Sequence, residues 1–204
     1  SSTGRPPARA QQPLAASQGY AVAELALGPG WPARVFVPMA GSDPDRFGAT
    51  NAFPAVYGGG GGPAVIGAFV AVLDPETRQP LGGEVAPLRQ ARPEDCILPR
   101  GVVPYREHLL LVCLGTDQLI EVDARAVDPV SAGRRAFRVA PGPTGVALDA
   151  ARDRALVFSQ FAAAVTFVDL AAASVGVLRL AQPETPPVSA ELARGRRLFF
   201  ATRD

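Results

Sequence analysis

Apolar residues come along this chain in short runs. Val35–Val37, Phe69–Leu73, Leu109–Cys113, Leu119–Val122, Ala155–Phe158 and Val165–Val168 each have a Gly, Pro or Asp within two residues of at least one end. Runs of this length between turn residues predict strands rather than helices. Their near-continuous apolarity predicts sheets covered on both faces. Two stretches repeat with an ungapped shift of 46 residues: Leu109–Cys113, Gly115–Gln118 and Leu119–Asp123 align with Ala155–Ser159, Phe161–Ala164 and Val165–Asp169. A Gly-Val strand start precedes each copy (Gly101-Val102 and Gly145-Val146). A further strand follows each (Ala136–Ala140 and Val175–Leu180).

Each unit therefore reads as four short strands closed by an Asp, whose carboxylate suits a turn because it accepts nearby backbone N–H groups. Asp74 ends Phe69–Leu73 in the same way. A weaker copy begins at Arg34-Val35-Phe36-Val37 and reaches Phe69 only after an insertion over 41–65, which includes Gly58–Gly62. Helix is the competing reading for Ala162–Ala164 and Ala171–Ala173, since Ala is the best helix former. The flanking Val, Thr and Phe argue against it. Units of this size stacked side by side indicate β-propeller blades, because one such sheet cannot bury both of its faces. The expected fold is all-β: blades of four antiparallel strands in an incomplete ring, with a short C-terminal helix.

Leu111-Val112-Cys113-Leu114-Gly115-Thr116-Asp117 followed by Ile120-Glu121-Val122-Asp123 resembles the "YVTN" type of bacterial β-propeller repeat. Pro141–Asp149 is similar to the link between such blades. Leu-Val-Cys-Leu and Val-Phe-Ser-Gln stand where that repeat has Tyr-Val-Thr-Asn. The resemblance covers about residues 100–182 well and 20–99 loosely, and it speaks to fold, since such propellers serve many functions.

From Pro183 the pattern changes. Pro183, Pro186 and Pro187 mark a linker over 183–188, and Ser189–Phe200 reads as a helix. Ser189 can cap it, and Glu191 suits the first turn. Leu192, Gly195, Leu198 and Phe199 fall on one face. Gly195 costs about 1 kcal/mol relative to Ala in a helix and permits another backbone to approach. Glu191–Phe200 resembles the first helix of a c-type cytochrome domain, and in particular the start of bacterial di-haem cytochrome c peroxidase (MauG-like) domains. In that family a C-x-x-C-H haem site follows shortly afterwards. The resemblance implies haem c for a parent protein, and it assigns no haem ligand within residues 1–204.

Composition narrows the function classes. All 20 basic residues are Arg, against 19 acidic residues, and neither half of the chain is strongly basic. No nucleic-acid or polybasic membrane surface is expected. The longest apolar stretch, Ala64–Leu73, is interrupted by Gly67 and falls short of the ~20 residues of a membrane span. Gly and Pro, 21 each, are turn-formers and limit long helices. Cys96 and Cys113 sit in no metal or haem spacing. They form a disulfide if the chain is exported, or else two buried, inert thiols. His108 is the only His and is expected in a solvated turn. Gly58–Gly62 lacks the Lys of a phosphate cradle. Trp31 reads as a packing anchor.

The domain expectation is a flexible leader over 1–19 and blades over 20–182, with the divisions 20–99, 100–143 and 144–182. After the linker, 189–204 is the first helix of a truncated cytochrome c-like domain. The functional expectation is the propeller portion of an exported, periplasmic c-type cytochrome or di-haem peroxidase-like protein. This chain would itself be non-catalytic and hold no cofactor, and its partner would be a downstream haem domain or redox protein. The alternative is an exported binding module that recognises a protein or glycan through 41–65. A lactonase-like propeller enzyme ranks last, because one His and turn-bound Asp residues offer no convergent constellation.

Overall fold

The computed structural model describes residues 16–42, 66–82, 96–181 and 188–200. Three antiparallel sheets follow one another along the chain. Blade 1 comprises β1 (Ala16–Gly19), β2 (Ala23–Leu25), β3 (Arg34–Ser42), β4 (Ile66–Leu73) and β5 (Pro80–Gly82). Blade 2 comprises β6 (Pro99–Tyr105), β7 (His108–Cys113), β8 (Gln118–Asp123) and β9 (Gly133–Arg138). Blade 3 comprises β10 (Pro143–Asp149), β11 (Arg154–Ser159), β12 (Ala164–Asp169) and β13 (Ser174–Arg179). Helix α1 (Ala190–Phe200) follows. The architecture is the all-β, propeller-blade one, with a short C-terminal helix. No described helix is long and apolar enough to cross a membrane.

The 46-residue repeat is an exact structural repeat in its two middle strands. Residues 108–113 and 154–159 are β7 and β11, and residues 118–123 and 164–169 are β8 and β12. The tight links match too: Asp117 and Ala163, also 46 apart, both take the left-handed backbone, with φ of 51° and 43°. Ala162–Ala164 and Ala171–Ala173 are therefore turn and strand-edge residues, not helix. The cross-strand packing of Val165–Val168 outweighs alanine's helix propensity.

The closing aspartates behave as their position predicts. Asp74 Oδ1 accepts the N–H of Glu76 and Thr77, Asp123 Oδ1 that of Arg125, and Asp169 Oδ1 those of Ala171 and Ala172.

Blade 1 begins earlier than Arg34. Its innermost strand is split: β1 pairs with Met39–Ser42 and β2 with Arg34–Phe36, on the same edge of β3. Residues 16–19, assigned to a leader by sequence, are thus part of the sheet. Polar Ser17 and Gln18 give no apolar run, and backbone pairing to β3 places them. The insertion also starts later than residue 41, because β3 runs on through Gly41 and Ser42 to pair with Gly67 and Ile66. The leader residues 1–15, the rest of the insertion with Gly58–Gly62, and linker residues 183–187 lie outside the described residues.

The core lies between the blades. Odd-numbered Leu109, Leu111 and Cys113 join Leu27, Phe36, Val70 and Val72 in the seam between blades 1 and 2. Even-numbered Leu110 and Val112 join Ala155, Val157, Val168 and Leu170 in the seam between blades 2 and 3. Strand alternation thus sends one run of five apolar residues to two cores. That is why β7 has no polar face.

Candidate functional site

Strand direction sorts the connections onto two rims. The upper rim carries the β3–β4, β7–β8 and β11–β12 links and the passages between blades. The lower rim carries the tight Asp-closed turns. The predicted chemistry divides between them.

On the upper rim Cys96 and Cys113 form a disulfide, with Cα atoms 5.1 Å apart. Both sulfurs are buried in the seam between blades 1 and 2. The backbone around them is doubly tied, since the N–H of Leu114 donates to the Leu98 carbonyl and that of Gly115 to the Ile97 carbonyl. A Cβ at position 115 would lie 2.8 Å from an Ile97 methyl, so this approach requires glycine.

Farther along the same rim the Ala140–Gly142 passage is bolted to both blades. Ala140 N–H donates to Thr166 Oγ1 at 3.1 Å, Ser159 Oγ donates to the Ala140 carbonyl at 2.7 Å, and Gly142 N–H donates to Asp117 Oδ1 at 2.8 Å. Gly142 has φ of 77°, and a Cβ there would collide with the Phe161 ring. The outer side of that ring receives the Arg196 guanidinium, 4.7 Å from its centroid, which ties α1 to blade 3.

Helix α1 is capped as its sequence implies: Ser189 Oγ accepts the Leu192 N–H at 3.2 Å, and Glu191 sits in the first turn. Its apolar residues keep much of their surface exposed. Leu192, Leu198 and Phe199 are 66%, 58% and 62% exposed. Nothing lies within 4 Å of a Cβ built on Gly195, so the close approach that this glycine permits is not made by the described residues.

The lower rim holds the main ionisable cluster. His108 opens β7 rather than lying in a solvated turn. Its side chain is about four-fifths covered, with Nε2 3.7 Å from Glu121 Oε1. Register explains this, because His108, Leu110 and Glu121 share the face turned to blade 3. Glu121 also accepts Arg135 Nε at 2.7 Å, and Arg135 Nη1 reaches the Leu170 carbonyl of blade 3 at 2.7 Å. Tyr105, beside them, is buried, and burial is the main cause that raises its phenol pKa; Arg106 opposes the rise and Asp153 adds to it. Arg106 in turn bridges to Asp153 of blade 3 at 2.8 Å.

The lower end of the other seam is organised around Trp31. Arg34 and Arg125 lie over its ring, 5.1 and 5.6 Å from the centroid. Arg34 is buried and donates to the Ala124 and Ala126 carbonyls of blade 2. Desolvation lowers its pKa, with Asp123 opposing. Trp31 itself stays 38% exposed, so it acts as a platform for the two guanidinium groups rather than as a buried anchor.

Chemically these groups bind blades together. Glu121 is engaged by Arg135 and flanked by His108. Among the described residues no three His, Cys, Asp or Glu side chains gather as a metal site. The Glu121 cluster was missed by sequence reading. The signal available was a charged residue inside an apolar strand run, Leu-Ile-Glu-Val, which demands a buried partner.

No family model matches the sequence. No curated protein matches it either. Among solved structures, the hydrazine synthase of Kuenenia stuttgartiensis is similar over 72% of this chain and 42% of that one, at 13% identity and a TM-score of 0.43. This chain thus spans less than half the length of that neighbour, and a likeness of this degree carries no functional argument.

Proposed function

We propose that this chain is the propeller portion of an exported c-type cytochrome or di-haem peroxidase-like protein, a scaffold that presents α1 to a haem domain. The observation that carries the reading is α1 itself. It is a well-capped helix tethered to blade 3 through Arg196 and Phe161, with Leu192 and Leu198 largely exposed. A short amphipathic helix gains little stability alone, so an apolar face left open this way suits a partner domain. The Cys96–Cys113 disulfide supports export, since such bonds persist in oxidising compartments.

Haem c does not fit this chain's own residues. Covalent attachment needs two thiols and an axial His in C-x-x-C-H. Here both cysteines are joined to each other, and the one His rests against Glu121. Any haem belongs to the partner domain, and the blades serve to position it. The test is the coding sequence beyond Asp204 together with haem staining of the exported product. A C-x-x-C-H within about 30 codons and a covalent haem signal support the reading. A reading frame without that motif overturns it.

The competing reading, recognition of a protein or glycan through 41–65, has one observation in its favour. The two ends of that connection, Ser42 and Ile66, emerge on the upper rim of a rigid sheet, where recognition loops are commonly held. Deleting residues 43–62 would abolish such binding and leave the sheets intact.

A further inference from the structure

We propose that the open face of blade 3 is a docking surface for blade 1 of a second copy of this chain. This inference rests on the blade geometry and is independent of the haem reading.

The face is apolar. Opposed residues on antiparallel strands share a face. Leu156 and Phe158 of β11, Val165 and Phe167 of β12 and Leu178 of β13 therefore lie together, turned away from blade 2. Phe158 and Leu178 are 44% and 53% exposed.

What covers such a face can be read from the two seams already formed. Aligned on the first residue of the second strand and on the closing Asp, the blades use the same positions each time. Blade 2 turns Leu110, Val112 and Leu119 toward blade 3, and the matching residues of blade 3 are Leu156, Phe158 and Val165. Blade 2 turns Leu109, Leu111, Ile120 and Val122 toward blade 1. The matching residues of blade 1 are Val35, Val37, Ala71 and Leu73, on the side of blade 1 that no described blade covers. The two outward faces are therefore the two halves of the seam that the molecule already builds twice.

At both seams an arginine, from the second strand in one and the fourth in the other, reaches the same acceptor position. Arg34 of blade 1 donates to the carbonyl of Ala124, the residue after the closing Asp123 of blade 2. Arg135 of blade 2 donates to the carbonyl of Leu170, the residue after the closing Asp169 of blade 3. Arg154 opens β11 as Arg34 opens β3, and it shares the open face with Leu156 and Phe158. On blade 1 the residue after the closing Asp74 is Pro75, whose carbonyl is the matching acceptor. Charge, apolar register and turn chemistry thus point to one occupant. A two-fold pair would make two identical seams and close a ring of six sheets, three from each copy, within the four to eight blades of known propellers.

The test is sedimentation equilibrium of the 204-residue chain with Phe158→Asp, Val37→Asp and Arg154→Ala variants. The wild type should dimerise in a concentration-dependent way. Each Asp variant alone should weaken the dimer by at least about 30-fold, the scale of a disrupted interface core. Arg154→Ala should weaken it about tenfold, the scale of a charged hydrogen bond. Mixing the two Asp variants should restore a one-to-one pair, because one seam then joins two intact faces; that restoration also shows that both variants are folded. A wild-type chain that stays monomeric overturns the proposal. So does a dimer that survives Val37→Asp, since it would not use blade 1.

Discussion

The two seams bury similar apolar strands and lock them differently. Between blades 1 and 2 the residues are large (Phe36, Leu27, Leu109, Leu111 and Ile120), and a disulfide pins the upper end. Between blades 2 and 3 the blade 3 side is small, with Ala155 and Ala164 in the buried set, and hydrogen bonds through Ser159, Thr166 and Asp117 pin the upper end. The difference follows the repeat. Blades 2 and 3 share an ungapped register in their middle strands, so short polar side chains meet backbone groups across the seam at fixed positions. Blade 1 has a split inner strand and a different spacing. Its seam is held by devices less sensitive to register: a covalent bond, and an arginine that reaches over Trp31 to carbonyls of the next blade.

The largest effect is expected from removing the covalent lock. The Cys96→Ala/Cys113→Ala pair opens a link across 17 residues. Chain-entropy reasoning puts the loss at about 3 kcal/mol in urea unfolding. Hydrogen exchange should localise it, with amides of Leu114 and Gly115 losing protection while those of Val157 and Val168 keep theirs. Equal loss across both seams would show that the two lock and unlock as one unit.

A smaller effect is expected at the lower end of the other seam. Glu121→Gln keeps the shape and removes the charge that Arg135 and His108 face. A loss of about 2 kcal/mol is expected, the scale of a hydrogen bond to a charged group. In a double-mutant cycle with Arg135→Gln the two losses should be non-additive by about 1 kcal/mol, because both side chains belong to one network. Full additivity would mean that the contact contributes nothing to blade docking.

Much of this comparison was legible in the sequence, and the parts that were not have physical reasons. The ungapped repeat gave β7, β8, β11 and β12 to within one residue at their starts, because continuous apolar runs and Asp-closed turns are local signals. Helix α1 was legible through Ser189 and Glu191 for the same reason. Strands β1 and β2 were not, since Ser17, Gln18 and Glu24 are placed by backbone pairing to β3 and carry no periodic signal. The disulfide was open between two readings, because spacing along the chain does not say whether two Cα atoms come within bonding reach. His108 was misplaced because its sequence neighbours, Arg106 and Glu107, do form the turn. Its real neighbour, Glu121, is brought there by strand register.

The smallest expected effect separates the seams by pH. Tyr105 is buried beside Glu121 and Asp153, and burial first, then Asp153, raises its phenol pKa against the opposing pull of Arg106. A raised pKa means that the folded state holds the proton more tightly than the unfolded chain does. Its contribution is fully present below the ordinary tyrosine value of about 10 and is lost as pH rises past that value through the folded one. The sign therefore points to alkaline weakening of the seam between blades 2 and 3. The urea midpoint of the wild type should fall more steeply above about pH 10 than that of Tyr105→Phe, which has no proton to lose there. Identical alkaline slopes in the two proteins would show that the phenol is not desolvated by the seam.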